Sequence, residues 1–288
     1  MKLIFCLYKM NRDYVVCIPS YKRATVCNDK TLSTLHKHKI DLNKIYVYVA
    51  NKKEYDLYKY VLNSNLYNKL VIGEKGLVQQ RQFIMEQWSP SKRIVFLDDD
   101  VESIDMSLSS MYKGHTLDYF IKDAFHKCIM NNAFIWGVYP VFNPFFRKTK
   151  TEMSTELKYI VGAFYGIINR PTLKEIKLTL TKMNGQKEDV ERSIKYFVHD
   201  GIVLRFNKIG FITKYYGKEG GLGRFEERLK PMEAACKTLE YKYSEYGHTR
   251  VRGNGMSEFV LKKKSANTVS HKKLKTSKQK TKKNVKTV

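Results

Sequence analysis

Three consecutive aspartates, Asp98, Asp99 and Asp100, close the apolar run IVFL at residues 94–97. Two neighbouring carboxylates about 4 Å apart repel by roughly 4 kcal/mol at an effective dielectric near 20, so something positive is expected beside them. A D-x-D at the carboxyl end of a buried strand can share a divalent ion with a diphosphate. Mg²⁺ takes few protein carboxylates and completes its shell with phosphate oxygens and water. Such an ion would neutralise the cluster and later a departing diphosphate. The alternative is a solvated acidic turn whose aspartates only cap a helix start. A second acidic pair, Glu188 and Asp189 in KEDVER, falls where a helix begins. That position is the acidic first turn that any helix favours. His199, just before Asp200 and Gly201, reads as a cation at a helix C-terminus.

The elements that must position these groups alternate. YVVCIP (14–19), IYVYVA (45–50), KLVIG (69–73) and RIVFL (93–97) read as short buried strands. Between them lie a loop and helix carrying Leu32 and Leu35, a helix over KKEYDLYKYVLNS (52–64) and another over LVQQRQFIMEQW (77–88). Strand–helix alternation of this length predicts an α/β fold with a parallel sheet and right-handed crossovers. Ligands of such sheets bind beyond the carboxyl ends of the strands, where Pro19, Ser20 and the three aspartates fall. The second half is less regular. It predicts a helix near 116–131, strand-like runs at 133–142 and 157–169, and a helix at 187–201 ended by Gly201. A hairpin is expected at 202–216, a mobile glycine-rich loop at 218–224, and a helix at 225–246 broken near Pro231. Trp136 and Tyr139 are expected in the core rather than on an acceptor platform. There is no internal repeat.

The 288 residues carry a net charge of +25, of which eleven lysines sit at 262–288 with no acidic or aromatic residue, leaving +14 on residues 1–261. The lysine-rich segment is expected to be a disordered tail, since it has nothing with which to build a core. A basic chain of this kind predicts a polyanionic partner, nucleic acid first and an anionic membrane surface second. A solubilising or nuclear-targeting tail is the plainer alternative. Cys6, Cys17, Cys27, Cys128 and Cys236 are scattered and odd in number, which argues against a disulfide framework and a cysteine zinc site. They fit a reducing, cytoplasmic or nuclear setting rather than secretion. No apolar run reaches transmembrane length. MKLIFCLYKM lacks a small-residue cleavage site, so residues 1–13 are expected to be an extension or a leading strand, with Met10 an alternative start.

The motifs IPSYKR, TLSTL, GLVQQRQFI, FLDDDV, WGVYPVFNPFF, VGAFYGIINR, EDVERSIKYF followed by GIVLR, and GGLGR occur in one order over about residues 14–250. Together they resemble the GT-A fold, the Rossmann-like fold of many nucleotide-sugar glycosyltransferases. More closely, the run is similar to the virus and base J-type glucosyltransferases associated with thymine and methylcytosine dioxygenases. The resemblance implies a mainly parallel mixed sheet flanked by helices over 14–261, and a metal-dependent, inverting transfer of a hexose, glucose from UDP-glucose, to a hydroxyl. It implies that Pro19, Ser20 and Arg23 line the nucleotide pocket and that Arg81 approaches the uracil or diphosphate. Gln82 stands where relatives carry Asn. Asp98 would contact the ribose and share the metal, Mg²⁺ or Mn²⁺, with Asp100, while Asp99 takes one of those roles. Gly162 and Ala163 would lie against the donor sugar, Arg224 would reach the diphosphate from GGLGR, His248 would be a third metal ligand, and Asp189 would be the base. The acceptor it implies is a hydroxymethylated pyrimidine in DNA. A protein or glycan acceptor, and a non-catalytic nucleic-acid-binding protein on the same fold, are the rival readings.

Overall fold

The computed structural model describes residues 13–148, 150–180, 185–213 and 223–265. The first half follows the alternation closely. β1 (Tyr14–Pro19) leads into α1 (Ala24–Val26), a π-helical stretch (Cys27–Leu32) and α2 (Ser33–Lys37). Then come β2 (Ile45–Val49), α3 (Lys52–Val61), β3 (Lys69–Ile72), α4 (Leu77–Gln87), β4 (Arg93–Leu97) and β5 (Val101–Asp105). The second half runs through α5 (Leu117–Met130), β6 (Ile135–Val138), α6 (Pro144–Lys148), β7 (Met153–Ser154), β8 (Phe164–Ile168), α7 (Glu188–Asp200), β9 (Leu204–Phe206) and β10 (Gly210–Thr213). α8 (Phe225–Tyr243), β11 (Gly247–Val251) and β12 (Ser257–Leu261) complete it.

The main sheet has the strand order β3-β2-β1-β4-β8-β6-β9-β7. β3, β2, β1 and β4 are mutually parallel, β8 runs against both β4 and β6, and β9 is parallel to β6. Strands β1, β4 and β6 therefore end on the same edge of the sheet. Along β1 the side chains divide between two buried layers, Tyr14, Val16 and Ile18 on one face, Val15 and Cys17 on the other. That is why this strand reads as continuously apolar instead of alternating. Trp136 is wholly buried, with Phe120, Phe125, Phe164 and Phe206 set edge-on around it, so its core assignment holds. Helix starts are capped as their sequences require. The Asn51 side chain accepts from the Glu54 N–H at 2.9 Å, and Gly201 ends α7 at φ 79°.

Four expectations are corrected. Of the hairpin expected at 202–216, residues 214–216 lie outside the described residues, and in the described part β9 and β10 do not pair: β9 pairs with β6 and β7 in the main sheet, whereas β10 pairs antiparallel with β5 outside it. Long-range ladders outcompete the local turn. Only Phe164–Ile168 of the run 157–169 is strand, and the residues before it take an irregular path. α8 passes through Pro231 unbroken, losing the backbone hydrogen bond that proline cannot donate. The fold also continues past Leu261: the Lys262 N–H donates to Tyr246 O at 2.8 Å, and the Leu157 N–H donates to Lys264 O at 3.0 Å. The rest of the lysine tail, the leading residues 1–12 and residues 218–222 of the glycine-rich loop lie outside the described residues. Among the described residues, no helix is long and apolar enough to cross a membrane.

Candidate active site

The carboxyl ends of β1 and β4, the N-terminus of α7 and the β12 side of the last hairpin enclose a cleft of about 1040 Å³. That is the upper end of the range for small-molecule sites. Pro19, Ser20, Arg23, Arg81, Asp98, Asp99, Asp100, Gly162, Ala163 and Asp189 all line it. Ten residues spread over 171 positions of sequence are thus brought together by one sheet edge.

The positive partners of the aspartates are two arginines. Arg23 is bidentate across the cluster, Nη1 donating to Asp99 Oδ1 at 2.8 Å and Nη2 to Asp100 Oδ2 at 2.7 Å. Arg81 Nη2 donates to Asp98 Oδ1 at 2.9 Å and to Gly162 O at 2.8 Å. The other oxygens of Asp99 and Asp100 are also held: Ser20 Oγ donates to Asp99 Oδ2 at 2.5 Å, and Thr213 Oγ1 donates to Asp100 Oδ1. Tyr58 Oη, from α3, meets Ser20 Oγ at 2.7 Å and accepts from the Arg23 N–H at 2.9 Å. Thr31 fixes the strand end itself, donating to Asp98 O at 2.7 Å and accepting from the Val101 N–H at 2.9 Å. Burial pushes Asp98 up to about 6 and Asp99 up to about 7, against the pull of Arg81 and Arg23 respectively. The cause is nearly complete for the Asp99 side chain, 5 % exposed, and partial for that of Asp98, 36 % exposed to the cleft.

A second layer stands behind Arg81. Its Nη1 donates to Glu188 Oε1, and the other oxygen of Glu188 accepts from Arg192 Nη1 at 2.6 Å. Arg192 lies over the Tyr165 ring at 3.8 Å. Glu188, buried to 2 %, is therefore the hinge of an Asp98–Arg81–Glu188–Arg192 chain, and it places α7 against the aspartates. One residue on, Asp189 faces the cleft. Its Oδ2 accepts from the Tyr159 hydroxyl and, at 3.3 Å, from the Gly162 N–H, while Oδ1 accepts from the Val190 N–H at 3.0 Å. Gly162 has little spare room: a Cβ there would lie 3.0 Å from both Arg81 Nη1 and Glu188 Oε1.

Two of the anticipated residues are elsewhere. His248 is exposed on β11, opposite Val260, and does not line the cleft, so it is not brought to the aspartates. The cleft is bordered by β12, whose Val260 lies directly opposite His248, and not by β11. Arg224 is exposed at the start of α8, where its N–H donates to Glu227 Oε2 at 3.0 Å, and Arg228 lines the cleft in its place. Gln82 faces away and donates to Glu86 Oε1 at 2.7 Å, whereas the buried Gln80 accepts from the Glu74 N–H at 2.7 Å on the cleft wall. His199 sits in the last turn of α7, its Nδ1 2.6 Å from Asp200 Oδ1. Sequence reasoning missed Tyr58, Tyr159, Arg192 and Thr213, and named Glu188 only as half of an acidic pair at a helix start. Only Glu188 and Arg192 carried a signal, the four-residue spacing of opposite charges on one helix face.

Asp98 and Asp100 offer the hard oxygen donors that Mg²⁺ or Mn²⁺ takes. No three His, Cys, Asp or Glu side chains converge as a ready cation cage among the described residues. The donor set fits an ion bound by two carboxylates and completed by ligand oxygens, at Asp100 through oxygens that Arg23 and Thr213 hold in this structure.

The sheet order, the carboxylate cluster at the end of β4 and the cleft beyond it define the GT-A fold. Among solved structures the chain is similar to glucosyl-3-phosphoglycerate synthase from Mycobacterium tuberculosis in complex with Mn²⁺, uridine diphosphate and phosphoglyceric acid, at 13% identity over 90% of each chain and a TM-score of 0.51. It is also similar to the mannosyltransferase PcManGT from Pyrobaculum calidifontis in complex with GDP-Man and Mn²⁺, at 12% identity over 84% of this chain and 70% of that one, TM-score 0.46. A third is S. aureus TarS 1–349, at 14% identity over 79% of this chain, TM-score 0.44; the chain spans 65% of its length. Neither a protein-family model nor a curated protein sequence matches the chain.

Proposed function

We propose that the chain is a metal-dependent, inverting glycosyltransferase that moves a hexose, glucose from UDP-glucose, onto the hydroxyl of a hydroxymethylated pyrimidine in DNA. The observation that carries this reading is the convergence of the aspartate cluster, Arg81 and Asp189 on one cleft at the carboxyl edge of a GT-A sheet. The glucosyl-3-phosphoglycerate synthase of the same fold, solved with Mn²⁺ and uridine diphosphate, supports the donor class. The motif order shared with the base J-type enzymes and the charge of +25 support the DNA acceptor.

On this reading Pro19 and Ser20 border the nucleotide, and Arg81, fixed between Asp98 and Glu188, presents its charge beside the diphosphate. Gly162 and Ala163, which line the cleft, border the sugar. Asp189, its carboxylate oriented by Tyr159 and Gly162, takes the acceptor hydroxyl proton as the new bond to C1 forms and the bond from C1 to the diphosphate oxygen breaks. A divalent ion held by Asp98 and Asp100 would supply positive charge for the leaving UDP.

Proton and metal compete at Asp98, which gives a signed expectation. Asp98 and Asp99 hold protons up to about 6 and about 7, which the unfolded chain releases near 3.9. Without metal, stability should therefore fall as pH rises from about 4 through 7. Mn²⁺ should raise Tm near pH 8 and leave it unchanged near pH 5, as thermal unfolding with and without the ion would record. Equal shifts at both pH values would place the ion elsewhere.

The lysine tail is expected to add affinity through phosphate contacts. Deletion from residue 266, beyond the packed Lys264, should weaken duplex binding and flatten its salt dependence. An unchanged slope would exclude the tail from binding. The deciding experiment for the function is a panel of nucleotide sugars and metals with hydroxymethylated DNA, followed by mass analysis of the nucleosides. A hexosyl adduct that requires Asp100 is the expected product. Sugar found only on protein or glycan, or an Asp100→Ala variant of full activity, would overturn it.

A further inference from the structure

The segment YPVFNPFFRK (139–148) follows β6 and takes no part in the site described above. Its apolar residues face water: Phe145 is 75 % exposed, Phe146 48 % and Val141 41 %. The two phenylalanine rings stand edge to face, centroids 5.3 Å apart at 84°. Aromatic rings left in solvent forgo the burial that makes them valuable in a core, and a contiguous exposed pair marks a contact surface.

The segment is also held firmly. Arg147, the residue after the pair, is fully buried. Its Nε donates to Phe142 O at 2.9 Å, Nη1 to Lys208 O at 2.9 Å and Nη2 to Asp105 Oδ2 at 2.5 Å. Gly210 makes way for this guanidinium, because a Cβ there would lie 2.7 Å from Arg147 Cζ. The Asn143 side chain accepts from the Phe145 N–H at 3.0 Å and closes the first turn of α6. One side of the turn is thus clamped to the core, and the other displays two rings whose backbone is fixed in advance.

Its place relates it to the cleft. β6 ends on the same sheet edge as β4, so the segment emerges on the side of the aspartates. Arg205, which lines the cleft, lays its guanidinium over Tyr139 at 5.0 Å. Lys148 and Lys150, both exposed, follow the pair in sequence.

We propose that Phe145 and Phe146 are a stacking platform for nucleobases of the acceptor, covering the base faces left unstacked when the modified pyrimidine enters the cleft, with Lys148 and Lys150 meeting the adjoining phosphates. This rests on the DNA-acceptor reading and adds the surface by which the acceptor is held. Every base has a flat face that an aromatic ring can cover, and extruding one base exposes the faces of its neighbours.

The test is fluorescence-anisotropy titration of a labelled duplex carrying one 5-hydroxymethyl pyrimidine. It compares wild type with the Phe145→Ala/Phe146→Ala, Phe145→Leu/Phe146→Leu and Phe145→Trp/Phe146→Trp double variants, at several salt concentrations. The Ala and Leu variants should bind at least about tenfold more weakly, with an unchanged slope of log K against log salt, since no phosphate contact is removed. The Trp variant should bind as wild type does. All three should keep wild-type Tm and UDP affinity, because the altered side chains are at the surface. A Leu or Ala variant that binds like wild type overturns the platform and leaves the DNA-acceptor reading intact. Wild type that binds no duplex and labels only protein or glycan overturns that reading, and the platform with it.

Discussion

Replacing Asp189 by Asn is expected to slow sugar transfer by about 10²- to 10⁴-fold while changing donor affinity less than about twofold. Asparagine keeps the side-chain shape, and its carbonyl oxygen can still accept from the Tyr159 hydroxyl and the Gly162 N–H. What it loses is the capacity to take a proton. Steady-state rates with saturating donor, set beside calorimetric UDP binding, separate that loss from a damaged donor site. A rate within a few-fold of wild type would move the base to another residue. Tyr159→Phe is a useful companion, because it removes an orienting hydrogen bond and leaves the carboxylate in place.

The second large effect is on the fold itself. Arg81→Met should cost about 3–5 kcal/mol of stability, the usual penalty for stranding the partners of a buried ion pair. The Arg81 side chain is 4 % exposed and that of Glu188 3 %, and removal of the guanidinium leaves Glu188 with Arg192 alone and Asp98 without a cation. Adding Glu188→Gln to the same chain should recover part of the loss, giving a coupling energy in the double-mutant cycle. Urea denaturation of the four proteins measures it. Additive single effects would show that Arg81 is stabilised by its packing near Tyr165 and not by Glu188. The cycle also bears on activity, since this ion chain fixes α7, and hence Asp189, relative to the aspartates.

The aspartate cluster shows how far sequence reasoning reached. The repulsion among Asp98, Asp99 and Asp100 called for a positive neighbour, and the structure supplies Arg23 and Arg81 before any metal is considered. Both arginines were on the list of cleft residues, but their bidentate and bridging geometry was not foreseeable, because 75 and 17 residues separate them from Asp98. His248 failed for a related reason. It lies on β11, whereas the cleft is bordered by β12, and which strand of the hairpin turns to the cleft depends on packing against α8 and not on the local pattern. The supposed hairpin at 202–216 failed because hydrogen-bond partners for β9 lay in β6, some 68 residues earlier, and outweighed the nearer strand.

Local composition was sufficient for the parallel half of the sheet, for the end of β4 at the aspartates and for the limits of α7, because apolar runs, caps and Gly201 act over a few residues. The strand–helix alternation also put Pro19, Ser20 and the three aspartates on one edge, since parallel strands joined by helices finish on the same side, while Arg23, Arg81, Gly162, Ala163 and Asp189 were expected there only from the family resemblance. Which oxygen faces which nitrogen, why Asp189 is held by Tyr159, and why Phe145 and Phe146 stand in water above a buried Arg147 were decided by tertiary contacts. Those contacts join segments distant along the chain, and their energies depend on burial and on distances of a few ångströms that no run of neighbouring residues encodes.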